Sequence, residues 1–408
     1  MVNAALSGFR QGAGMEFLPY GRQWIEDDDV AAVVAALRSE RLAHGPRVDA
    51  LEEAFAAATG AAEAVACSSG TAALQLALQA LDAGPGQRCV VPGVTFLATA
   101  TAALWCGADV VFADVHPDTG LLTPDTLAAA LANVSDVRAV LPVHLGGRLC
   151  DLAGLARVAE AAGAVLVEDA CHALGGIDAQ GRPVGAAAVS HAAAFSLHPV
   201  KTLAAGEGGV ATLNDRRRAQ RMRRLRNHGV TRTAAEFTDP ALSLERADAA
   251  HPWSYEQQEL GHSLRMDEMS AALAISQLAK LPRFVGRRRR LASLYDGALK
   301  SLAPLVRPAP AGLDARPCPH LYTVLIDFEA AGRTRGEVMR TLHERGIGTQ
   351  VHYIPVHRQP YMRSRYGDQH LPGCDAYYDR CLSLPLFPAM ADRDVGRVAE
   401  ALACALGR

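Results

Sequence analysis

One lysine and one acid carry most of the chemical information in this chain. Lys201 closes the run Ala194-Phe195-Ser196-Leu197-His198-Pro199-Val200-Lys201 and is followed by Thr202-Leu203-Ala204-Ala205-Gly206-Glu207-Gly208-Gly209. An amine is thus set among small, apolar and glycine residues, where an ammonium needs a charge partner or a covalent one. A lysine in a tight loop between two strands can form an imine with a carbonyl compound, which removes its charge. Pro199 stiffens that loop, and Ser196 and the Gly206–Gly209 run shape it. The competing reading is the commonest fate of lysine, the solvent-exposed surface.

Glu168 and Asp169 end the apolar run Ala164–Val167. An acid in that place often caps the following turn. The chemical alternative is a carboxylate kept ionised to face a protonated heterocyclic nitrogen, the partner that pyridoxal phosphate (PLP) requires as an electron sink. His172 follows within local reach, although a lone histidine there is more often structural. A third segment, Cys67–Leu74, ends a strand, turns on small residues and begins a helix. Free backbone N–H groups and the positive end of the helix dipole make it an anion site. The Thr71 hydroxyl stands where it caps that helix or binds a phosphate, and a plain N-cap explains it equally well. Helix-start anion site, strand-end acid and loop lysine, in that order, fit a PLP enzyme of the aspartate aminotransferase-like fold.

The elements that must position these groups are legible as an alternation. From about residue 64 to 214, short apolar runs (62–67, 88–93, 109–115, 137–145, 164–170, 191–197, 208–214) alternate with helical patterns. Apolar strands separated by helices of 10–15 residues indicate a mostly parallel sheet covered on both faces. A basic helix follows at 215–229, then a polar, strand-poor stretch to about Gly261, then two long helical patterns. Beyond the Pro- and Gly-rich 304–312 the pattern reads strand (320–328), helix (334–346), strand (347–353) and closing helix (394–406). The expected fold is α/β: a mostly parallel, seven-stranded-type sheet covered by helices, as in PLP-dependent transferases of fold type I, plus a smaller C-terminal α/β domain. The expected boundaries are a disordered extension at 1–14, with Met15 a candidate start, and a large PLP-binding domain at 15–265 whose segment 15–45 also lines the substrate site. Connecting helices follow at 266–300, then the small domain at 301–408.

The chain has 408 residues, half of them apolar, and a formal charge of −2. No basic imbalance points to nucleic acid or an anionic membrane, no apolar run is long enough for a membrane span, and the first residues lack the apolar core of a secretory signal. Nine scattered cysteines, without a CxxC pair, argue against a disulfide framework or zinc site and for a reducing cytoplasm. They read as buried small hydrophobes. The arginine clusters at 216–226 and 287–290 read as solvated helix faces.

At these residues the sequence resembles the DegT-type sugar aminotransferases, from about Phe17 to Leu386. The likeness runs through FLPYGRQWI, SSGTAALQLAL, EDACHALGG, FSLHPVKTLAAGEGG, RNHGV, PWSYEQQELG and VHYIPVHRQPYM. The stretches around Lys201, at YEQQELG and at VHYIPVHRQPY resemble especially a branch that aminates C4 of a UDP-4-keto-6-deoxy-N-acetyl-hexosamine on the route to pseudaminic acid. The resemblance implies that Lys201 carries the cofactor as an imine and shuttles a proton, and that Asp169 pairs with the pyridine nitrogen. It implies that His172, where many relatives have glutamine, lies near the phenolic oxygen, that Gly70, Thr71, Ala72 and Ser196 bind the phosphate, and that Phe96 packs on the ring. Tyr20, the run Glu40, Arg41, Leu42 and Ala43, and the run His320, Leu321, Tyr322 and Thr323 match positions around the nucleotide-sugar. Arg265, His228, His352 and His357 are further candidates near the cofactor or sugar, and Trp253 and Tyr255 for a loop over the site.

Two departures stand out. Ser263 replaces the asparagine with which relatives reach the phosphate of the neighbouring subunit's cofactor, and Ala204 and Ala205 replace threonines. The implied activity is transfer of an amino group from glutamate to a nucleotide-linked 4-ketosugar by a ping-pong cycle in a cytoplasmic homodimer with shared sites. The alternatives are a dTDP- or GDP-ketosugar substrate, or a catalytically silent regulatory member. Lys201 argues against the branch that carries histidine there and dehydrates its sugar.

Overall fold

The computed structural model describes residues 16–246, 249–311 and 316–408, so the extension expected at 1–14 lies outside the described residues. The seven central strands are β1 (Glu63–Cys67), β2 (Arg88–Pro92), β3 (Asp109–Ala113), β4 (Val137–Val140), β5 (Val165–Asp169), β6 (Ala192–Ser196) and β7 (Gly209–Leu213). They form one sheet in the order β1-β7-β6-β5-β4-β2-β3. Within it β7 pairs antiparallel with both β1 and β6, and every other pairing is parallel. A parallel sheet is covered on both faces, which is why these strands are almost wholly apolar.

The covering helices begin with α1 (Asp27–Leu37), α2 (Pro46–Thr59), α3 (Gly70–Ala80), α4 (Leu97–Trp105), α5 (Pro124–Leu131), α6 (Leu152–Ala161) and α7 (Arg216–Leu225). α3 is buried at nearly every position, as a helix laid across the middle of a sheet and under its neighbours must be. The helix Glu268–Ala279 packs on α1 and α2.

The C-terminal domain is a three-stranded antiparallel sheet of Val306–Pro308, Tyr322–Ile326 and Cys381–Leu384, with helices Arg335–Glu344 and Asp392–Ala405 against it. The strand expected at 347–353 does not form. The chain there changes partners, Ile347 bridging Leu18 and Gln350 bridging Ser383, so no continuous ladder builds. Leu18, placed by chain order with the larger domain, lies in the C-terminal apolar cluster. The 18-residue helix Leu281–Ala298 passes through two clusters: Leu281 and Val285 pack with the large domain, Leu291 and Tyr295 with the small one.

The arginine clusters are not simply solvated. Arg223 and Arg226 reach Glu52, while Arg221 and Arg224 reach Glu259. Arg287 and Arg290 share Asp392. Arg288 is buried and donates to the carbonyls of His320 and Leu386. Both basic helices are therefore clamps between segments. The cysteines are all free, and six are buried as expected, but Cys404 on the last helix is exposed.

Candidate active site

The two acids at the end of β5 part company because neighbouring strand residues face opposite sides of a sheet. Glu168 is satisfied on one side by the Ser190 hydroxyl and by His144 Nε2 at 2.9 Å. A cavity lined by His144, Glu168 and the 178–189 loop opens on that side. Asp169, 6% exposed, faces the other way. Thr99 donates to its Oδ2 at 2.7 Å and the Cys171 amide to its Oδ1 at 3.2 Å. A carboxylate has no proton to give, so the single Thr99 proton points at Asp169 and Thr95 must donate to Thr99, 2.7 Å away. Both oxygens of Asp169 are thus held as acceptors, in a fixed orientation.

Lys201 lies in the loop between β6 and β7. The loop is closed by Leu197 N–H to Gly208 O at 2.9 Å and Ala205 N–H to Leu197 O at 2.8 Å, and the Lys201 amide bonds His198 O at 2.8 Å. The side chain is partly buried. Burial holds its ammonium below the ordinary lysine value, with the Cys171 and Asp169 side chains pulling the other way. A desolvated amine beside a fixed carboxylate is a poised nucleophile.

Next to it, the turn into α3 forms the anion site. Ser69, not Thr71, caps the helix, accepting from the Ala72 amide at 3.1 Å. That leaves the Thr71 hydroxyl and the first-turn amides of Gly70 and Thr71 without an intrahelical role. A Cβ on Gly70 would stand 2.7 Å from Ser196 Cβ and 3.2 Å from Cys171 Sγ, and one on Gly209 would meet Ser69 O at 2.1 Å. The helix start, the end of β6 and Cys171 are thus in direct contact, with glycine required for the fit. Amine, carboxylate and helix-start amides around Ser196 suit an aldehyde, a protonated ring nitrogen and a phosphate, so the residues present fit PLP.

His172 links this centre to the C-terminal half. The Gly146 amide donates to its Nδ1 at 3.2 Å, and Tyr353 Oη lies 3.2 Å from its Nε2. His320 packs its ring 4.5 Å from that of His172 and bonds Gly146 O through its amide. Phe96, 54% exposed at the start of α4, stands 5.8 Å from the Tyr353 ring, and Tyr20 stands 5.6 Å from His352. The structure therefore gathers Gly70, Asp169, His172, Ser196 and Lys201 directly, Tyr20 and Phe96 through His352 and Tyr353, and His320 through His172.

The remaining candidates are more dispersed. Leu321 touches Gly146 through its amide. Tyr322 turns into the C-terminal core, stacked on Tyr295 with its hydroxyl on Asp296, and Thr323 faces Ser383. Strand alternation prevents four consecutive residues from sharing one wall. Glu40–Ala43 are exposed, tied to the helix Glu268–Ala279 by the Glu268 amide on Leu42 O. Ser263 is exposed, one residue from Leu264, whose carbonyl accepts the Ser68 amide beside the anion site. Arg265 bonds Asn227, and His357 packs near Phe112. Sequence reasoning missed Thr99, Gly146 and Tyr353. The only available signals were a threonine near a strand end, a Gly-Gly turn and a tyrosine beside His352.

This sheet, with an acid at the end of β5 and an amine in the loop after β6, has the architecture of the PLP-dependent transaminases. Residues 23–403 match the DegT/DnrJ/EryC1/StrS aminotransferase family, and the chain belongs to that family. It is similar to the spore coat polysaccharide biosynthesis protein SpsC of Bacillus subtilis, 38% identical over 95% of this chain and 96% of SpsC. Among solved structures it is similar to PseC of Helicobacter pylori, an aminotransferase of pseudaminic acid biosynthesis (TM-score 0.85, 25% identity, 96% of this chain and 100% of that one). It also resembles Spr1654 of Streptococcus pneumoniae in its PLP form (TM-score 0.84, 25% identity, 96% and 99% covered). The chain is accordingly a PLP-dependent sugar aminotransferase. No helix among the described residues is long and apolar enough to cross a membrane.

Proposed function

We propose that this enzyme moves the amino group of L-glutamate to the C4 carbonyl of a UDP-linked 4-keto-6-deoxy-N-acetyl-hexosamine, in two half-reactions, as a cytoplasmic homodimer. The observation that carries the reading is the partly buried Lys201 amine set against the Thr99-anchored Asp169 carboxylate, beside the α3 start. Bound PLP supplies an electron sink for the carbon that loses or gains the amino group. Lys201 Nζ, lowered in basicity by burial, would move a proton between the donor's Cα and the cofactor in the first half-reaction, and between the cofactor and C4 of the sugar in the second. Asp169 would keep the cofactor's heterocyclic nitrogen protonated. The α3 amides of Gly70 and Thr71, with the Ser196 hydroxyl, hold the phosphate. Exposed Trp253 (71%) and Leu260 (83%) support burial of the segment 253–260 against a second copy.

The test is a screen of UDP-, GDP- and dTDP-linked 4-ketosugars with glutamate, followed by mass detection of the aminosugar. The UDP-linked N-acetyl-hexosamine is expected to turn over fastest, and Lys201→Ala is expected to abolish turnover. Preference for a dTDP or GDP sugar overturns the substrate assignment, and full turnover by Lys201→Ala overturns the mechanism.

A further inference from the structure

Tyr353 is joined to His172 by a hydrogen bond whose direction is fixed by a third group. A backbone N–H can only donate, so the Gly146 amide, 3.2 Å away, requires a lone pair on His172 Nδ1. Burial, and the charges of Lys201 and Arg148, hold the His172 pKa well below the ordinary histidine value, so the ring is neutral. A neutral imidazole with a bare Nδ1 carries its proton on Nε2. Nε2–H therefore donates to Tyr353 Oη at 3.2 Å.

The Gly146-Gly147 turn is built to hold this arrangement. Gly146 has φ +66° and Gly147 φ +91°, left-handed conformations that favour glycine, and a Cβ on Gly147 would lie 1.9 Å from Cys318 O and 3.0 Å from His172 O.

Tyr353 Oη thus accepts from His172, while its own proton has no acceptor among the described residues. The phenol stays protonated, because burial raises its pKa well above the ordinary tyrosine value and Tyr20, Asp169, Cys171 and Tyr377 act in the same direction. His172 and His352, the other titratable groups packed on it, are both neutral. An oriented, protonated hydroxyl with an unused proton, flanked by Phe96 and within electrostatic reach of Asp169, is a donor waiting for an acceptor.

We infer that Tyr353, oriented by the Gly146–His172 relay, donates a hydrogen bond to an anionic oxygen bound at the Asp169–Lys201 site. The inference rests on the proposed reading of that site. The oxygen belongs either to the cofactor or to a substrate, and the two sources separate in one experiment on the full chain.

In that experiment Tyr353→Phe, which removes only the hydroxyl, is compared with the unsubstituted protein and with Tyr361→Phe, an exposed tyrosine. Circular dichroism and melting confirm the fold. The PLP dissociation constant is read by equilibrium dialysis, the pH midpoint of the bound-cofactor absorbance band by titration, and kcat and KM by turnover. If the acceptor is a cofactor oxygen, Tyr353→Phe weakens PLP binding about tenfold and raises the midpoint by about one pH unit, since losing a donor destabilises the anion. If the acceptor is a substrate oxygen, PLP affinity and midpoint stay put and KM rises about tenfold. His172→Gln, whose amide can still donate to Oη, shows less than half the logarithmic effect of Tyr353→Phe.

Tyr353→Phe within twofold of the unsubstituted protein on affinity, midpoint, kcat and KM overturns the inference. Uptake of PLP by the unsubstituted protein with indifference to Tyr353→Phe overturns the inference alone, whereas failure to take up PLP at all overturns both it and the functional reading.

Discussion

Gly45 and Glu268 meet across 223 positions of sequence, the Gly45 amide donating to Glu268 Oε1 at 3.1 Å. The same carboxylate accepts the amides of Arg47 at 3.0 Å and Val48 at 3.4 Å, so the start of α2 is capped by a side chain from the first turn of Glu268–Ala279. Gly45 is glycine because a Cβ would lie 2.5 Å from Glu268 Oε2. The exposed run Glu40–Ala43 enters α2 through this clamp.

Removing the clamp leaves three amides short of an acceptor. Glu268→Ala is expected to destabilise the fold by about 2–4 kcal/mol, and Glu268→Gln by less, since the amide oxygen still accepts. Urea unfolding measures both. Equal losses for the two variants would show that capping is not the cause.

Thr99 fixes the orientation of Asp169. Thr99→Val keeps the shape of the side chain and removes the proton, and is expected to weaken PLP binding by about tenfold, the worth of one hydrogen bond to a charged group. Equilibrium dialysis checks this. An unchanged dissociation constant would mean that the Cys171 amide alone is enough to hold the carboxylate.

Acid should unfold the cofactor-free protein from its histidines. Burial holds His172 and His320 well below the ordinary value of 6.5 and His352 down to about 3. The unfolded chain binds these protons near pH 6.5 and the folded one does not, so the stability is complete above pH 6.5 and is lost progressively as the pH falls below it. At pH 5 His352, held to about 3, costs about 2 kcal/mol. Melting temperatures between about pH 7.5 and 4.5 should fall steeply below about pH 6.5, and a flat profile to about pH 5 would contradict the neutral assignment.

Two glycines should respond oppositely to alanine. Gly147→Ala meets Cys318 O at 1.9 Å in a left-handed backbone and is expected to cost several kcal/mol or abolish soluble protein. Gly286 lies inside Leu281–Ala298, and an added methyl there would meet nothing within 4 Å. Gly286→Ala should therefore gain about 0.5–1 kcal/mol. Thermal melts of both variants decide the matter.

The alternation of short apolar strands and helices from β1 to β7 was readable because each parallel strand is buried on both faces and shows an unbroken apolar run. Asp169 and Lys201 stood out because charge at the end of such a run is costly. Strand order was not readable: β7 inserts between β1 and β6, a pairing that no local pattern encodes. Tyr353 was missed for the same reason. Its partner His172 lies 181 residues away, and its role depends on a Gly146 amide rather than on a side chain. Thr71 reads from sequence as either the cap or a phosphate ligand because hydroxyl type, not backbone angle, is what a sequence displays, and Ser69 supplies the extended conformation that a cap needs. Tyr322 shared a motif with His320, but strand alternation sends its ring into the core.

The helix Leu281–Ala298 is a shaft common to both apolar clusters, seated at one end beside the large sheet and at the other beneath the small one. A shaft shared by both clusters couples the packing of the two lobes. Heat should therefore bring down both lobes in a single cooperative step.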